Sequence, residues 1–314
     1  MVKKTLYIIV PCYNEYDTLQ ITSGVFLNTI KDLIKKKKIT DKSRVLFVDD
    51  GSIDNTFAYI KKIAKKDKYI SAISLSKNSG HQAALIAGIA YSVDKCDISI
   101  TIDCDLQDDI GKVNDMVDRS YKGNDIVYGV RADRASDTLF KKFSAQWFYR
   151  MQSFFGINII YNHADYRLMS KRAMKALLSY GESNLYLRGI VPSLGFNSTS
   201  VYYDRQKRMA GTSKYPISKM LALATNGITS FSIYPLRLIT VIGVIIAIIS
   251  FIGVIWSIAM AMIGKTVVGW ASMTSIICFV SGIQLLSLGV IGEYIGKIYI
   301  ETKHRPKYFI KETI

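Results

Sequence analysis

The sequence predicts an α/β protein: a mostly parallel sheet covered by helices, followed by an interfacial helix and a two-helix transmembrane hairpin. Two observations carry this. Residues 5–125 alternate short apolar runs with longer helical stretches, the order that builds a parallel sheet covered on both faces. Further on, Leu238–Gly264 and Thr266–Gly292 contain no charged residue and are separated by Lys265 alone.

Leu6–Val10, Arg44–Val48, Ile70–Leu75 and Ile98–Ile102 read as strands, and Asp125–Tyr128 as a fifth. Between them Thr18–Lys37, Asn55–Lys65 and Gly80–Val93 read as helices. The N-terminal stretch MVKKTLYIIVPCYNE reads as a strand and lacks the apolar core and small-residue cleavage site of a signal peptide. Phe143, Trp147, Phe148, Met151, Phe154 and Phe155 recur at helical spacing; a core face and a helix bordering the membrane both suit them. Pro216–Ser230 places Ile217, Met220, Leu221, Ala224 and Ile228 on one face, with Lys214 and Lys219 at its start, the pattern of a helix lying in the membrane surface. The expected division is a catalytic domain over 1–212, an interfacial helix over 213–235, membrane helices at about 238–263 and 270–296, and a tail over 299–314.

Each uncharged run is about 27 residues long, and about 20 suffice to cross a bilayer as a helix. The short link between them makes an antiparallel hairpin with both flanks on one side. Lys214, Lys219 and Arg237 precede it, and Lys297, Lys303, Arg305, Lys307 and Lys311 follow. Positive residues face the cytoplasm, so the catalytic domain and both termini are expected there, on the plasma membrane. The chain has 314 residues and a formal net charge of +16. Beside two membrane spans that excess suits anionic lipid better than nucleic acid. Four cysteines without paired spacing, Cys12, Cys96, Cys104 and Cys278, argue against a disulfide framework or zinc site.

Chemistry gathers where the strands end. Ile98–Ile102 runs into Asp103-Cys104-Asp105-Leu106-Gln107-Asp108-Asp109. Clustered carboxylates repel, and a hard divalent cation relieves the repulsion. In an extended segment Asp103 and Asp105 point to the same side and can share one hard divalent cation such as Mg²⁺, with Gln107 available as a third oxygen ligand. An EF-hand is excluded, because its sixth position requires Gly and here is Asp108. Asp108 and Asp109 read as the turn after the site. Pro11-Cys12-Tyr13-Asn14-Glu15, Asp49-Asp50-Gly51-Ser52 and Lys77-Asn78-Ser79-Gly80-His81 end three other strands; ligands of such sheets bind at these ends. Neither GxGxxG nor GxxxxGK[ST] occurs.

VPCYNE, VDDGSIDNT, KNSGHQAALIAG and DCDLQDD, in this order and spacing, resemble the GT-A glycosyltransferases of family 2. HADYRLMSKRA, YLRGIVPSLGF and YDRQKRMAGTSKYPISKML, followed by two spans, extend the resemblance to the polyprenyl-phosphate (bactoprenol) glycosyltransferase type over nearly the whole chain. The resemblance implies a GT-A catalytic domain in which Pro11, Tyr13, Glu15, Asp50 and Asp103 line the nucleotide pocket. It also implies Mg²⁺ or Mn²⁺ on Asp103, Asp105 and Gln107, and Asp165 at the position usually assigned as catalytic base. Arg131, Arg208 and Lys214 would contact phosphates of donor or lipid. The implied partners are a UDP-sugar, undecaprenyl phosphate, a separate flippase and a downstream transferase, with a tetramer suggested by related enzymes. A phosphate acceptor is already largely dianionic at neutral pH, so Asp165 is expected to orient rather than deprotonate. The QxxRW of processive synthases is absent. The alternatives are a GDP-mannose donor with a dolichol-like acceptor, or a membrane scaffold without activity.

Overall fold

A computed structural model describes residues 2–132, 163–182, 186–204, 234–263 and 269–314. The expected helix over 138–156, the interfacial helix Pro216–Ser230, Arg208, Lys214 and Lys265 lie outside the described residues.

The strands are β1 (Leu6–Cys12), β2 (Arg44–Asp49), β3 (Ile70–Leu75), β4 (Ile98–Thr101), β5 (Ile126–Arg131), β6 (His163–Ser170), β7 (Ser198–Tyr203) and β8 (Ile310–Thr313). The helices are α1 (Tyr16–Lys35), α2 (Thr56–Ala64), α3 (His81–Ser92), α4 (Val113–Tyr121), α5 (Lys171–Leu178), α6 (Leu187–Ser193), α7 (Tyr234–Met262) and α8 (Trp270–Thr302). One sheet has the order β7-β5-β6-β4-β1-β2-β3-β8. The β1–β2, β1–β4, β2–β3 and β5–β7 pairs are parallel; β3–β8, β4–β6 and β5–β6 are antiparallel. The sheet is therefore mixed, with its parallel core where the sequence places it and antiparallel additions at β6 and β8.

Every residue of β1 is buried, as expected of a central strand with helices on both faces. Side chains alternate across it. Leu6, Ile8 and Val10 join Phe26, Ile30 and Phe47 on one face, while Tyr7 and Ile9 join Leu46, Val48, Ala84 and Ala87 on the other. Gly88 lets α3 lie directly on this second face. A Cβ there would stand 2.4 Å from Ile9 Cγ2 and 2.9 Å from Val48 Cγ2.

Helices α7 and α8 pack against each other and hold two apolar segments long enough to cross a membrane, Tyr234–Gly253 and Phe279–Thr302. Ile249, Phe251, Leu285 and Leu286 are each more than 60% exposed, an arrangement that suits hydrocarbon and not water. The chain beyond α8 does not hang loose. Strand β8 adds to β3 at the sheet edge, Ser76 N donates to Phe309 O at 2.9 Å, and Ile314 and Ala72 exchange backbone bonds at 2.8 and 2.9 Å. A Lys61–Glu312 ion pair at 2.7 Å flanks the seam.

Candidate active site

Strands β1 and β4 are neighbours, yet the chain leaves β1 toward β2 on its other side. Such a switch point opens a crevice at the carboxyl ends of the strands, and the polar motifs meet around it. Pro11 is buried in β1, Tyr13 is exposed, and Asn14 takes φ 52. Asn14 N donates to Ser52 Oγ at 3.0 Å, and Ile53 N donates to Asn14 Oδ1 at 3.0 Å. Glu15 N donates to Thr56 Oγ1 at 2.9 Å, while the Glu15 carboxylate accepts from the Thr18 hydroxyl. These bonds stitch the loop after β1 to the loop after β2.

The loop after β2 is in turn locked to the loop after β3. Asp49 accepts from Ser52 N at 3.2 Å and Ser74 Oγ at 2.7 Å. Asp50, also buried, accepts from Ser79 N at 2.7 Å and Gly80 N at 2.9 Å. Burial pushes the Asp50 carboxyl up, and the two N–H bonds oppose the rise. Gly51 has φ +67, and a Cβ there would come 2.5 Å from the Lys77 carbonyl carbon; only glycine permits this approach. Asp50 thus holds the start of α3 in place, a contact additional to the nucleotide role its motif implies.

The carboxylate turn differs from the expectation of an extended segment. Strand β4 stops at Thr101, and Cys104 and Asp105 lie in a turn completed by Leu106 at φ 51. Asp105 Oδ1 accepts from Gln107 N at 3.2 Å. The turn, and not alternation along a strand, sets the directions of Asp103 and Asp105. Asp108 also does more than turn the chain. It is 2% exposed, and its Oδ1 accepts from Arg131 Nη2 at 3.0 Å, Arg131 Nε at 3.3 Å and Tyr203 Oη at 2.6 Å. Arg131, expected as a phosphate contact, is anchored to this carboxylate.

Burial and the carboxylates of Asp165, Asp108 and Asp105 push the Asp103 carboxyl up to about 6, with His81 pulling the other way. Because 44% of the Asp103 side chain stays accessible, water softens the burial and the carboxylate crowding is the more durable cause. Asp103 and Asp105, with Gln107 beside them, supply oxygen donors suited to Mg²⁺ or Mn²⁺. Among the described residues no group of three or more His, Cys, Asp or Glu side chains forms a metal cage. Mg²⁺ commonly takes one or two carboxylates and completes its shell with substrate phosphates, so the donor set fits that mode.

Asp165, on β6, is 8% exposed. Its Oδ1 accepts from Arg167 Nη2 at 2.5 Å and its Oδ2 from Arg188 Nη2 at 3.1 Å. Arg167 is 1% exposed and also donates to Leu187 O at 3.1 Å. Burial alone would raise the Asp165 carboxyl, but Arg188 and Arg167 outweigh it and hold the group well below the usual carboxylate range. His81 Nε2 lies 3.6 Å from Asp103 Oδ1 and 3.8 Å from Asp165 Oδ2, so it bridges the two acids. Arg167 and Arg188 were not among the expected site residues, and His81 was expected at the sheet edge only as the end of the Lys77–His81 motif, with no role of its own. Arg167 had a legible signal, since two residues from Asp165 on a strand places it on the same face; Arg188 and His81 arrive from remote elements.

A mixed α/β sheet with an acidic crevice at its switch point, joined to two long apolar helices, defines a membrane-associated enzyme of the GT-A glycosyltransferase class. Residues 7–178 match the family described as Glycosyl transferase family 2, and residues 234–298 match the GtrB C-terminal hairpin. The chain is 47% identical over 305 residues to "Uncharacterized glycosyltransferase YkoT" of Bacillus subtilis, covering 97% of this chain and 90% of that protein. It is 38% identical over 306 residues to the "Bactoprenol glucosyl transferase" of Shigella phage SfV, covering 97% of both. Among solved structures, glucosyl-3-phosphoglycerate synthase from Mycobacterium tuberculosis aligns at 16% identity with a TM-score of 0.43, over 73% of this chain and 79% of that one. The chain belongs to glycosyltransferase family 2, with a GtrB-type hairpin at its C-terminal end.

Proposed function

We propose that the protein transfers a sugar from a UDP-sugar to undecaprenyl phosphate at the cytoplasmic face of the plasma membrane. The observation that carries this reading is the convergence of Asp103, Asp165 and His81 within 4 Å contacts, on a domain tied to the membrane hairpin through β8. Relatives named bactoprenol glucosyl transferase, matched over nearly their whole length, support the acceptor class. The excess of Lys and Arg outside the spans, with Lys265 alone between them, supports the cytoplasmic orientation of a multi-pass protein.

The reaction is a single displacement. An oxygen of the lipid phosphate attacks the anomeric carbon, the bond from that carbon to the UDP oxygen breaks, and UDP departs from the opposite face with inversion. Pro11, Tyr13, Glu15 and Asp50 bound the nucleotide pocket. Asp103, Asp105 and Gln107 would hold Mg²⁺ or Mn²⁺, which neutralises charge growing on the departing diphosphate. Arg131, held by Asp108, and Arg208 and Lys214 assist with phosphate charge. Asp165 acts as an orienting group. Two guanidiniums lower its basicity, and a dianionic acceptor needs no base. Bringing both substrates together at the interface supplies proximity, up to roughly 7–11 kcal/mol in ideal cases. The product then passes to a separate flippase and a transferase beyond it.

Purified protein incubated with undecaprenyl phosphate, Mg²⁺ and a panel of labelled nucleotide sugars tests this. Organic-phase label from a UDP-sugar is expected. Label from GDP-mannose alone would replace the donor, and no label from any donor would refute the activity. Full activity of Asp105→Asn would remove the metal assignment.

A further inference from the structure

A cavity of ≈ 560 Å³ lies between the start of α3, His81 included, and the stretch joining α8 to β8. Its size falls within the ~300–1,000 Å³ of small-molecule sites. Ser79 and His81 form one wall, and Tyr299, Lys303, Arg305 and Lys307 form the other. Three cations and no carboxylate line it. The cations are placed by the backbone. Helix α8 ends at Thr302, His304 turns the chain at φ 44, and Arg305, extended ahead of Pro306, leads into the strand pairing of Leu75 with Ile310. Lys303 Nζ rests 3.9 Å from the centroid of the Tyr299 ring. Arg305 is exposed and has no ion-pair or hydrogen-bond partner among the described residues. Lys307 is less available: burial lowers its pKa, and Glu301 and Glu182 lie near enough to counter that.

We propose that this cavity seats the phosphate monoester of the lipid acceptor, with Lys303 and Arg305 carrying the charge. Location selects the acceptor over the donor. The cavity opens where an apolar helix of 33 residues ends, the level at which a membrane lipid presents its headgroup. The donor diphosphate belongs with Asp103 and Asp105, and His81, which lines the cavity, lies 3.6 Å from Asp103 Oδ1. Guanidinium and ammonium groups are the usual partners of a phosphate dianion. The inference rests on the polyprenyl-phosphate reading and adds where that phosphate binds.

The test uses the full-length enzyme in nanodiscs, of phosphatidylcholine alone and with phosphatidylglycerol added. Initial rates are measured against undecaprenyl phosphate and, separately, against the nucleotide sugar. For the double substitution Lys303→Ala with Arg305→Ala, the acceptor KM is expected to rise at least about 10-fold in both lipid mixtures, while the sugar-nucleotide KM stays within about twofold. Arg305→Lys should fall between. Native mass spectrometry should show undecaprenyl phosphate retained by the wild type and lost from the double variant, with uncharged undecaprenol retained by neither. An unchanged acceptor KM, an equal rise for the nucleotide sugar, or a loss seen in only one lipid mixture each overturns the proposal; the last outcome would reduce the cations to general attraction for anionic lipid. A wild type that transfers no sugar to undecaprenyl phosphate refutes the acceptor reading itself, whereas an active wild type with indifferent variants refutes only this site.

Discussion

Asp165 combines near-complete burial with two arginine partners. Removing one member of a buried, hydrogen-bonded ionic group leaves the others uncompensated, which costs about 3–5 kcal/mol. Asp165→Ala should therefore lower stability by about that amount at neutral pH, measured by denaturant titration. The native carboxyl titrates below its unfolded value of about 3.9. Its stabilisation is fully present above that value and is lost as pH falls through the lower native one. The gap between wild type and Asp165→Ala should accordingly begin to narrow only below about pH 4. If Asp165 orients rather than deprotonates, raising the pH will not restore transfer by Asp165→Asn; recovery at high pH would reinstate it as a base. Asp103 behaves oppositely. Its native value near 6 lies above the unfolded one, so its contribution is present below about pH 4 and is lost as pH rises through 6. Asp103→Asn should raise the melting temperature of metal-free protein at pH 7.5, leave it unchanged at pH 4, and abolish transfer. A melting temperature that shifts equally at both pH values would contradict the carboxylate crowding.

Helix α3 links the core to the chemistry. Its packing depends on Gly88, and its first residue is His81. The Cβ of Gly88→Ala would force α3 away from Ile9 and Val48. Such overpacking typically costs 1–3 kcal/mol, and the displacement should reduce transfer more than nucleotide binding, because His81 and the Ser79–Gly80 loop move with the helix. Calorimetry with UDP beside a rate measurement checks this; equal losses in both would separate His81 from the reacting centre. The central strands were legible because their apolar runs are short, contiguous and bounded by turns; Ile70–Leu75 forms as read. β6 and β7 went unread because their sequences, HADYRLMS and STSVYY, mix polar and apolar residues without a clear period. β8, IKET, carries no strand signal of its own and forms through the open edge of β3. Likewise, nothing in DCDLQDD shows that the strand stops at Thr101 or that Asp108 turns inward to meet Arg131 and Tyr203.

For the whole molecule, the tail strand returns the chain from the apolar hairpin to the edge of the catalytic sheet. A cytoplasmic catalytic domain then requires the link between the spans to face outward. Lys265→Cys should react with a membrane-impermeant maleimide in intact cells, and Lys311→Cys only after lysis; the native Cys12, Cys96 and Cys104 are buried and give little background. Labelling of Lys311→Cys in intact cells would invert the topology. By itself the sequence determined the α/β class, the two long apolar helices and the family, because periodicity, long uncharged runs and motif order are local properties of a chain. The tertiary structure alone decided which groups meet. Asp165 acquires its low basicity from arginines on two elements, Asp103 its raised pKa from burial and from Asp165 on β6 together with the acids of its own turn, and the cationic cavity exists because the stretch between α8 and β8 lies against the start of α3. Those effects depend on distances between residues far apart in the chain, and such distances are set only when the sheet is assembled.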